Sequence, residues 1–522
     1  MKKFSSIFLP VLAAAAALLM AVSCFADLST EADHEIPDIV IQGLDPTMYV
    51  LYGQEIHLEV TVSQEGRTMS DLDCQWTIDL KPNELDDRIE LGEGTTIDYK
   101  VSNRPSGTPY IIRLEVTDKQ TGLVKMAACK LYVASSLGEG LLVAYTRDGG
   151  ATSEFDLLAN KYVTWGYTSE EPTYTRALYE LANGHVLEDH VNVVCEMTDT
   201  DAGGAGVYGE NRILVGTDRH MRSIDPLTFV ETEADAPLFY SAYQTEFGTT
   251  DIFNFAGYSN GAIVGGEPFG MMCHIDRQYS ALGLSLEPKN FFRPDNIAHG
   301  PMQQGGHLAV FNENDGNFYF IMGWNLTQTA FQQVAYTFSF PTQGCVSIGS
   351  GCGRNQTLCF LLKDPSDVYR VCQLDVQNTT PSVNVYNLNG TDMDKIVSVA
   401  FCDNCDLMYY ATQGELYATI LAAGRVNTRK VNWAPDSPDE KITSVKQYTQ
   451  AWYGTHQYYP SDYEFILDTH RLQMIITTYN DKTGEGKIYL RPFNVSTGLF
   501  TSKNNGTYGG FGEITAICPT FR

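Results

Sequence analysis

Apolar and polar residues alternate with a period of two along the first part of the chain. The pattern is clear in Ile56-His-Leu-Glu-Val-Thr-Val62, Cys74-Gln-Trp-Thr-Ile78, Ile111-Ile-Arg-Leu-Glu-Val-Thr117 and Cys129-Lys-Leu-Tyr-Val133. Successive side chains of a strand point to opposite faces, so this alternation predicts strands with one face in a core and the other in water. Lys81-Pro-Asn and Asp118-Lys-Gln-Thr-Gly122 supply the turn residues between them. Short strands over residues 39–134, with Trp76 central to the pattern, predict a two-sheet β-sandwich of the immunoglobulin type.

Beyond this segment the pattern becomes a repeated phrase: an apolar strand, a polar turn, then a second strand that often ends in an acidic residue. The phrase occupies residues 140–158, 212–225, 261–276, 307–322, 358–375, 407–421 and 472–493. No long amphipathic helix interrupts it. Repeats roughly 50 residues apart that cannot bury both faces alone predict a β-propeller over residues 137–522, with seven blades. Glu513-Ile-Thr-Ala-Ile-Cys518 has no partner strand in its own repeat. It is expected to complete the first blade and close the ring. The fold class is therefore all-β.

At 522 residues the chain is long enough for two or more domains. Lys+Arg 35 against Asp+Glu 63 leaves −28, a spread acidic surface that disfavours nucleic acid and anionic lipid as partners. Tyr 30, Phe 25 and Gly 45 suit strands and tight turns. The N-terminus has a different composition. Lys2 and Lys3 precede an apolar run from Ile7 to Ala21, about 15 residues and below the roughly 20 that a spanning helix needs. Residues 1–23 thus read as a secretory signal. Residues 24–38 are polar and acidic and read as a flexible tether.

The remaining motifs favour structural readings. Gly257-Tyr-Ser-Asn-Gly261 has the letters of a nucleophile elbow. That elbow needs a helix after the turn, and Ala-Ile-Val follow here, so no catalytic role is assigned to Ser259. Thr146-Arg-Asp-Gly-Gly-Ala-Thr152 reads as a hairpin brace in which Asp148 accepts nearby backbone donors. His185-Val-Leu-Glu-Asp-His190 lacks the helical spacing of a zinc site. No metal ligand and no cofactor is assigned, with calcium admissible only incidentally in turns such as Asn312–Gly316 and Asn480–Gly484. Cys402-Asp-Asn-Cys405 reads as a turn-closing disulfide or as two free thiols. Cys359 and Cys372 flank a turn and are candidates to pair across it. The pairing of Cys74 and Cys129 is left open.

The most ligand-like stretch is Tyr448–Tyr463, six aromatic residues among small and polar ones. Large rings give contact area at low entropic cost, and polar neighbours adapt to a ligand. Trp452, Tyr453, His456, Tyr458 and Tyr459 are the candidate ligand-binding residues. An ordered inter-blade loop whose rings pack on the propeller is the competing reading.

Ala21-Val22-Ser23-Cys24 resembles a lipobox, in which the cysteine is lipidated and becomes the mature N-terminus; Ala21 stands where leucine is usual. Asp27 resembles, weakly, the acidic surface-export signal of Bacteroidota lipoproteins. Trp76 followed by Tyr110-Ile-Ile-Arg-Leu-Glu-Val-Thr-Asp118 resembles the PKD subclass of sandwiches, without its glycine-aspartate turn. With Arg212–Phe229 and His307–Met322, these features resemble the PKD-like lipoprotein family of gut Bacteroidota. The resemblance implies a non-enzymatic lipoprotein anchored at Cys24, on the cell-surface side of the outer membrane. It further implies an accessory binding or scaffolding role in a SusCD-type importer. The partners would be a TonB-dependent barrel and its substrate-binding lipoprotein, and the ligand a peptide, with glycan as the alternative. The membrane would be met through the lipid alone. A propeller carbohydrate-active enzyme or glycan-binding protein, and a surface adhesin acting through the sandwich, are the alternative functions.

Overall fold

The structure is a computed structural model that describes residues 36–79, 88–103, 109–134, 139–197, 212–239, 248–254, 259–272, 278–281, 292–300, 306–323, 332–333, 337–375, 382–422, 426–450 and 466–520. The chain divides into two compact units, Met1–Ser135 and Ser136–Arg522.

In the smaller unit, a five-stranded sheet has the order Thr47–Leu51, Val124–Ala134, Tyr110–Asp118, Leu72–Asp79, Arg88–Glu93. Two further ribbons pair Val40–Gln42 with Thr61–Ser63 and Glu55–Glu59 with Thr96–Lys100. The alternating residues of each strand meet in one core: Ile56, Leu58, Trp76, Ile112, Leu114 and Leu131 are all buried there. Trp76 is fully enclosed, and its indole N–H donates to the Gly94 carbonyl at 2.8 Å. A buried indole N–H without an acceptor would cost about 1–3 kcal/mol. Asp118 closes the Lys119–Gly122 turn, accepting from the Gln120 N–H (2.9 Å), the Thr121 hydroxyl (2.8 Å) and Arg67 (3.1 Å). Burial pushes its carboxyl up, but these donors outweigh burial and hold it well below the usual range.

The larger unit contains seven four-stranded antiparallel sheets among the described residues, a β-propeller-like arrangement. Six follow one another along the chain, each with its strands in sequence order. The first sheet is different. Its order is Thr173–Thr175, Glu154–Ala159, Gly140–Thr146 and then Glu513–Thr520, so the last strand of the chain pairs antiparallel with Gly140–Thr146. Gly512 makes this approach possible: a Cβ there would stand 1.9 Å from the Thr146 carbonyl oxygen.

Each repeated phrase forms the two central strands of one sheet. These strands are buried on both faces, as in Gly140–Thr146 and Leu407–Ala411, because neighbouring sheets cover them. Outer strands such as Asn427–Lys430 are exposed and polar. The only α-helix among the described residues is the short Leu178–Asn183. No helix there is long and apolar enough to cross a membrane.

The candidate pairing of Cys359 with Cys372 is not formed. Cys359 lies opposite Gln373, and Cys372 opposite Phe360, an offset of one residue. Because strand side chains alternate, this offset sends the two thiols to opposite faces of the sheet and into different core clusters. Ten cysteines fall among the described residues, and all are thiols, including Cys74, Cys129, Cys402 and Cys405.

Candidate functional site

After the strand Glu154–Ala159, the Asn160 side chain folds the chain back by accepting the Tyr162 N–H at 2.8 Å, while its backbone carbonyl accepts the N–H of Thr164 at 2.9 Å. This asparagine turn presents Tyr162 and Trp165 along one wall of a cleft of about 1050 Å³. The same cleft is lined by Thr501, Lys503 and Asn504, in the segment after Glu485–Pro492, and by Leu467 and Leu472. Trp165 is 44 % exposed and Leu472 43 %, so an apolar surface faces the opening. Lys161 is paired with Glu170 and sits over the Tyr162 ring.

The walls are fastened from behind. The Tyr162 carbonyl accepts the Thr469 hydroxyl at 2.7 Å and the Gln473 amide at 3.0 Å. The Tyr448 hydroxyl reaches the Val163 carbonyl at 3.4 Å. On the far side, Asn504 Oδ1 accepts from Arg491 at 2.6 Å and from the Gly506 N–H at 2.9 Å. The Asn505 amide donates to Gln473 at 2.8 Å. A surface held this way meets a ligand with little ordering left to do.

Glu139, 8 % exposed, is bonded to the backbone of the cleft residue Trp165. One carboxylate oxygen accepts the Trp165 N–H at 3.0 Å, and the other accepts the Gln450 side-chain amide at 2.7 Å. Gln450 is itself buried; its carbonyl accepts the Leu467 N–H at 2.9 Å and its backbone N–H donates to His470 Nδ1 at 3.1 Å. Burial pushes the Glu139 carboxyl up to about 7, against the two donors, and the nearby Glu196 adds to the rise. Burial, with Arg471 beside it, pushes His470 down to about 3.

A second, polar hollow of about 520 Å³ lies between the fifth and sixth sheets, lined by Arg354, Gln373, Asp375, Tyr386 and Asp406. Arg354 and Asp406 pair across it at 3.0 Å.

Trp452, Tyr453, His456, Tyr458 and Tyr459 fall in residues 451–465 and lie outside the described residues, as does Cys24. Of the aromatic stretch, Tyr448 is a core side chain, 1 % exposed. Trp165 escaped the sequence reading because it stands alone in Lys161-Tyr-Val-Thr-Trp-Gly-Tyr, without a periodic pattern. Its role comes from Leu467 and Asn504, some 300 residues away in sequence. The Asp148 turn has the form read from sequence. Its carboxylate accepts the Thr152 N–H at 3.0 Å and the Thr146 hydroxyl at 2.9 Å, and these donors bring it down to about 2. In the His185–His190 segment, Asp189 is paired with Arg222 at 2.8 Å. Among the described residues no group of three or more His, Cys, Asp and Glu is arranged for a metal ion.

A model of the PKD-like family matches residues 24–190, running from Cys24 through the smaller unit and into the first sheet of the larger one. No curated protein matches the sequence. Among solved structures, the chain is similar to a quinonprotein alcohol dehydrogenase-like protein from Bacteroides thetaiotaomicron, at 10 % identity over 93 % of this chain and 99 % of that one, with a TM-score of 0.43. It is also similar to apo AztD from Citrobacter koseri, at 9 % identity over 86 % of this chain and 98 % of that one, with a TM-score of 0.38.

Proposed function

We propose that this chain is a binding or scaffolding lipoprotein without enzymatic activity, anchored to the outer membrane through Cys24 and facing the cell surface. In this reading it is an immunoglobulin-like sandwich followed by a seven-bladed propeller. It serves a SusCD-type importer beside a TonB-dependent barrel and its substrate-binding lipoprotein. The observation that supports binding is the cleft, lined by the exposed Trp165 together with hydroxyl and amide side chains. The importer setting rests on the lipobox-like Ala21–Cys24 and on the PKD-like match over residues 24–190.

Oligopeptide is the ligand class implied by the family resemblance. The cleft itself favours a second reading, a glycan. Aromatic side chains lining the same cleft as Thr501, Ser502 and Asn504 offer stacking and hydroxyl recognition without a dominant charge.

Affinity capture of the tagged lipoprotein from detergent-solubilised outer membranes, with partners identified by mass spectrometry, tests the importer assignment. A barrel and its lid lipoprotein are the expected partners. A lone monomer would overturn it. Binding of a casein digest or of neutral hexasaccharides, each repeated with Trp165→Ala, then decides the ligand class.

A further inference from the structure

A directed chain of hydrogen bonds runs through the lining of the polar hollow between the fifth and sixth sheets. The Tyr386 hydroxyl donates to Gln373 Oε1 at 3.1 Å, and the Gln373 amide donates to the Thr357 hydroxyl at 3.0 Å. That hydroxyl in turn donates to the Arg354 carbonyl at 2.9 Å. Gln373, in the middle of the chain, is 7 % exposed, so these side chains are already ordered before a ligand arrives. Asn355, which lines the hollow, and its neighbour Gln356 both take left-handed backbone angles, φ 58° and 60°, without being glycine. Such conformations persist where the surroundings hold them, and they gather at ligand clamps.

Other groups of the lining keep bonding capacity in reserve. Arg354 Nη1 donates to Asp406 Oδ2 at 3.0 Å, and both side chains are partly exposed. Among the described residues, the remaining N–H groups of Arg354, Asp406 Oδ1 and the Asn384 amide have no hydrogen-bond partner. Spare donors therefore stand beside spare acceptors, with the guanidinium of Arg354 against the carboxylates of Asp375 and Asp406.

We propose that this hollow binds a neutral sugar residue of a glycan, with Arg354, Asp406 and Asn384 as its recognition groups. A hydroxyl both donates and accepts, so neighbouring hydroxyls of one ring can accept from Arg354 and donate to Asp406 together. An anion has only acceptors and would meet two carboxylates; an ammonium group has only donors and would leave the guanidinium unmatched. The volume of about 520 Å³ lies in the range of small-ligand sites. The loop of residues 402–406 joins the hollow to the Trp165 cleft. Asp406 pairs with Arg354, while Asp403 pairs with Arg471 at 2.5 Å and Asn404 donates to the Arg471 carbonyl at 2.8 Å, next to the cleft residue Leu472. Both openings thus lie at one end of the larger unit. Sugar binding in the hollow does not depend on the cleft holding a ligand.

An array of neutral oligosaccharides screened with the full-length protein, followed by calorimetric titration of those that bind, tests this. At least one neutral glycan is expected to bind, and Arg354→Gln and Asp406→Asn are each expected to weaken it about tenfold. Asn384→Ala is expected to weaken it several-fold; this side chain is exposed on the outer strand Ser382–Asn387, so thermal denaturation should be unchanged. The control Lys441→Gln, in the exposed pair with Asp481, should bind as the parent does. No binding of any neutral glycan at millimolar concentration would overturn the assignment. So would a glycan that is lost in Trp165→Ala yet unaffected by all three hollow variants, since it sits in the cleft alone. Tetralysine binding that disappears in the hollow variants would reveal an ammonium site and overturn the sugar assignment.

Discussion

The side-chain amide of Gln450 donates to the buried carboxylate of Glu139 at 2.7 Å, across 311 positions of sequence. The bond ties the entrance of the first sheet to the exit of a strand in the seventh, and the cleft opens beside it.

Glu139 imposes a pH dependence on stability whose sign follows from its raised carboxyl. Below about pH 4.5 the group is protonated in both folded and unfolded chains and contributes nothing. Between 4.5 and about 7 the unfolded chain ionises while the folded one keeps its proton, so stability falls as pH rises. The full cost above pH 7 is about 3 kcal/mol at 1.4 kcal/mol per pH unit. Denaturation of the larger unit, followed from pH 4.5 to 8, is expected to show this decline. Glu139→Gln is expected to flatten it.

Trp76 has no exposed surface, and its N–H is bonded to Gly94. Trp76→Ala removes the largest side chain of that core and is expected to cost about 3–5 kcal/mol. Calorimetry is expected to show a lowered transition for the smaller unit alone. An equal drop in the transition of the larger unit would mean that the two do not melt independently.

Gly512 leads into the strand Glu513–Thr520, which pairs with Gly140–Thr146. A methyl group there would overlap the Thr146 carbonyl, so Gly512→Ala must push the last strand away from the first sheet. A loss of about 1–3 kcal/mol is expected. Faster hydrogen exchange at Leu142 and Ile517 than in the fifth sheet would locate the damage.

Cys359 and Cys372 are expected to remain separate thiols. Alkylation under denaturing, non-reducing conditions followed by peptide mapping should label both, and a Cys359–Cys372 cross-linked peptide would contradict the strand register.

Much of the fold was legible in the sequence. The period-two alternation around Trp76 marks strands that share one core, because half of each strand faces water there. The repeated phrases mark the central strands of the sheets, which are apolar throughout because both faces are covered. Outer strands such as Asn427–Lys430 carry no such signal; they are exposed and polar, and only hydrogen bonding to Leu416–Ile420 makes them strands. The same limit explains why the sequence left the cysteine pairing open. A hairpin can be read from Lys363–Asp367, but a one-residue register offset leaves no trace in composition and reverses which face each thiol occupies.

By itself the sequence determined the all-β class, the change of pattern between the two units and the Asp148 brace, since each depends on neighbours within a strand or a turn. The pairing of the last strand with Gly140–Thr146 was likewise legible, from the unpartnered Glu513–Cys518. Tertiary structure decided the separation of Cys359 from Cys372 and the cleft that Trp165, Leu467 and Asn504 line together. The cleft depends on contacts between residues hundreds of positions apart and the cysteines on the register of two neighbouring strands, so the ionisation of a carboxylate or the face of a thiol is set by what surrounds it rather than by what precedes it in the chain.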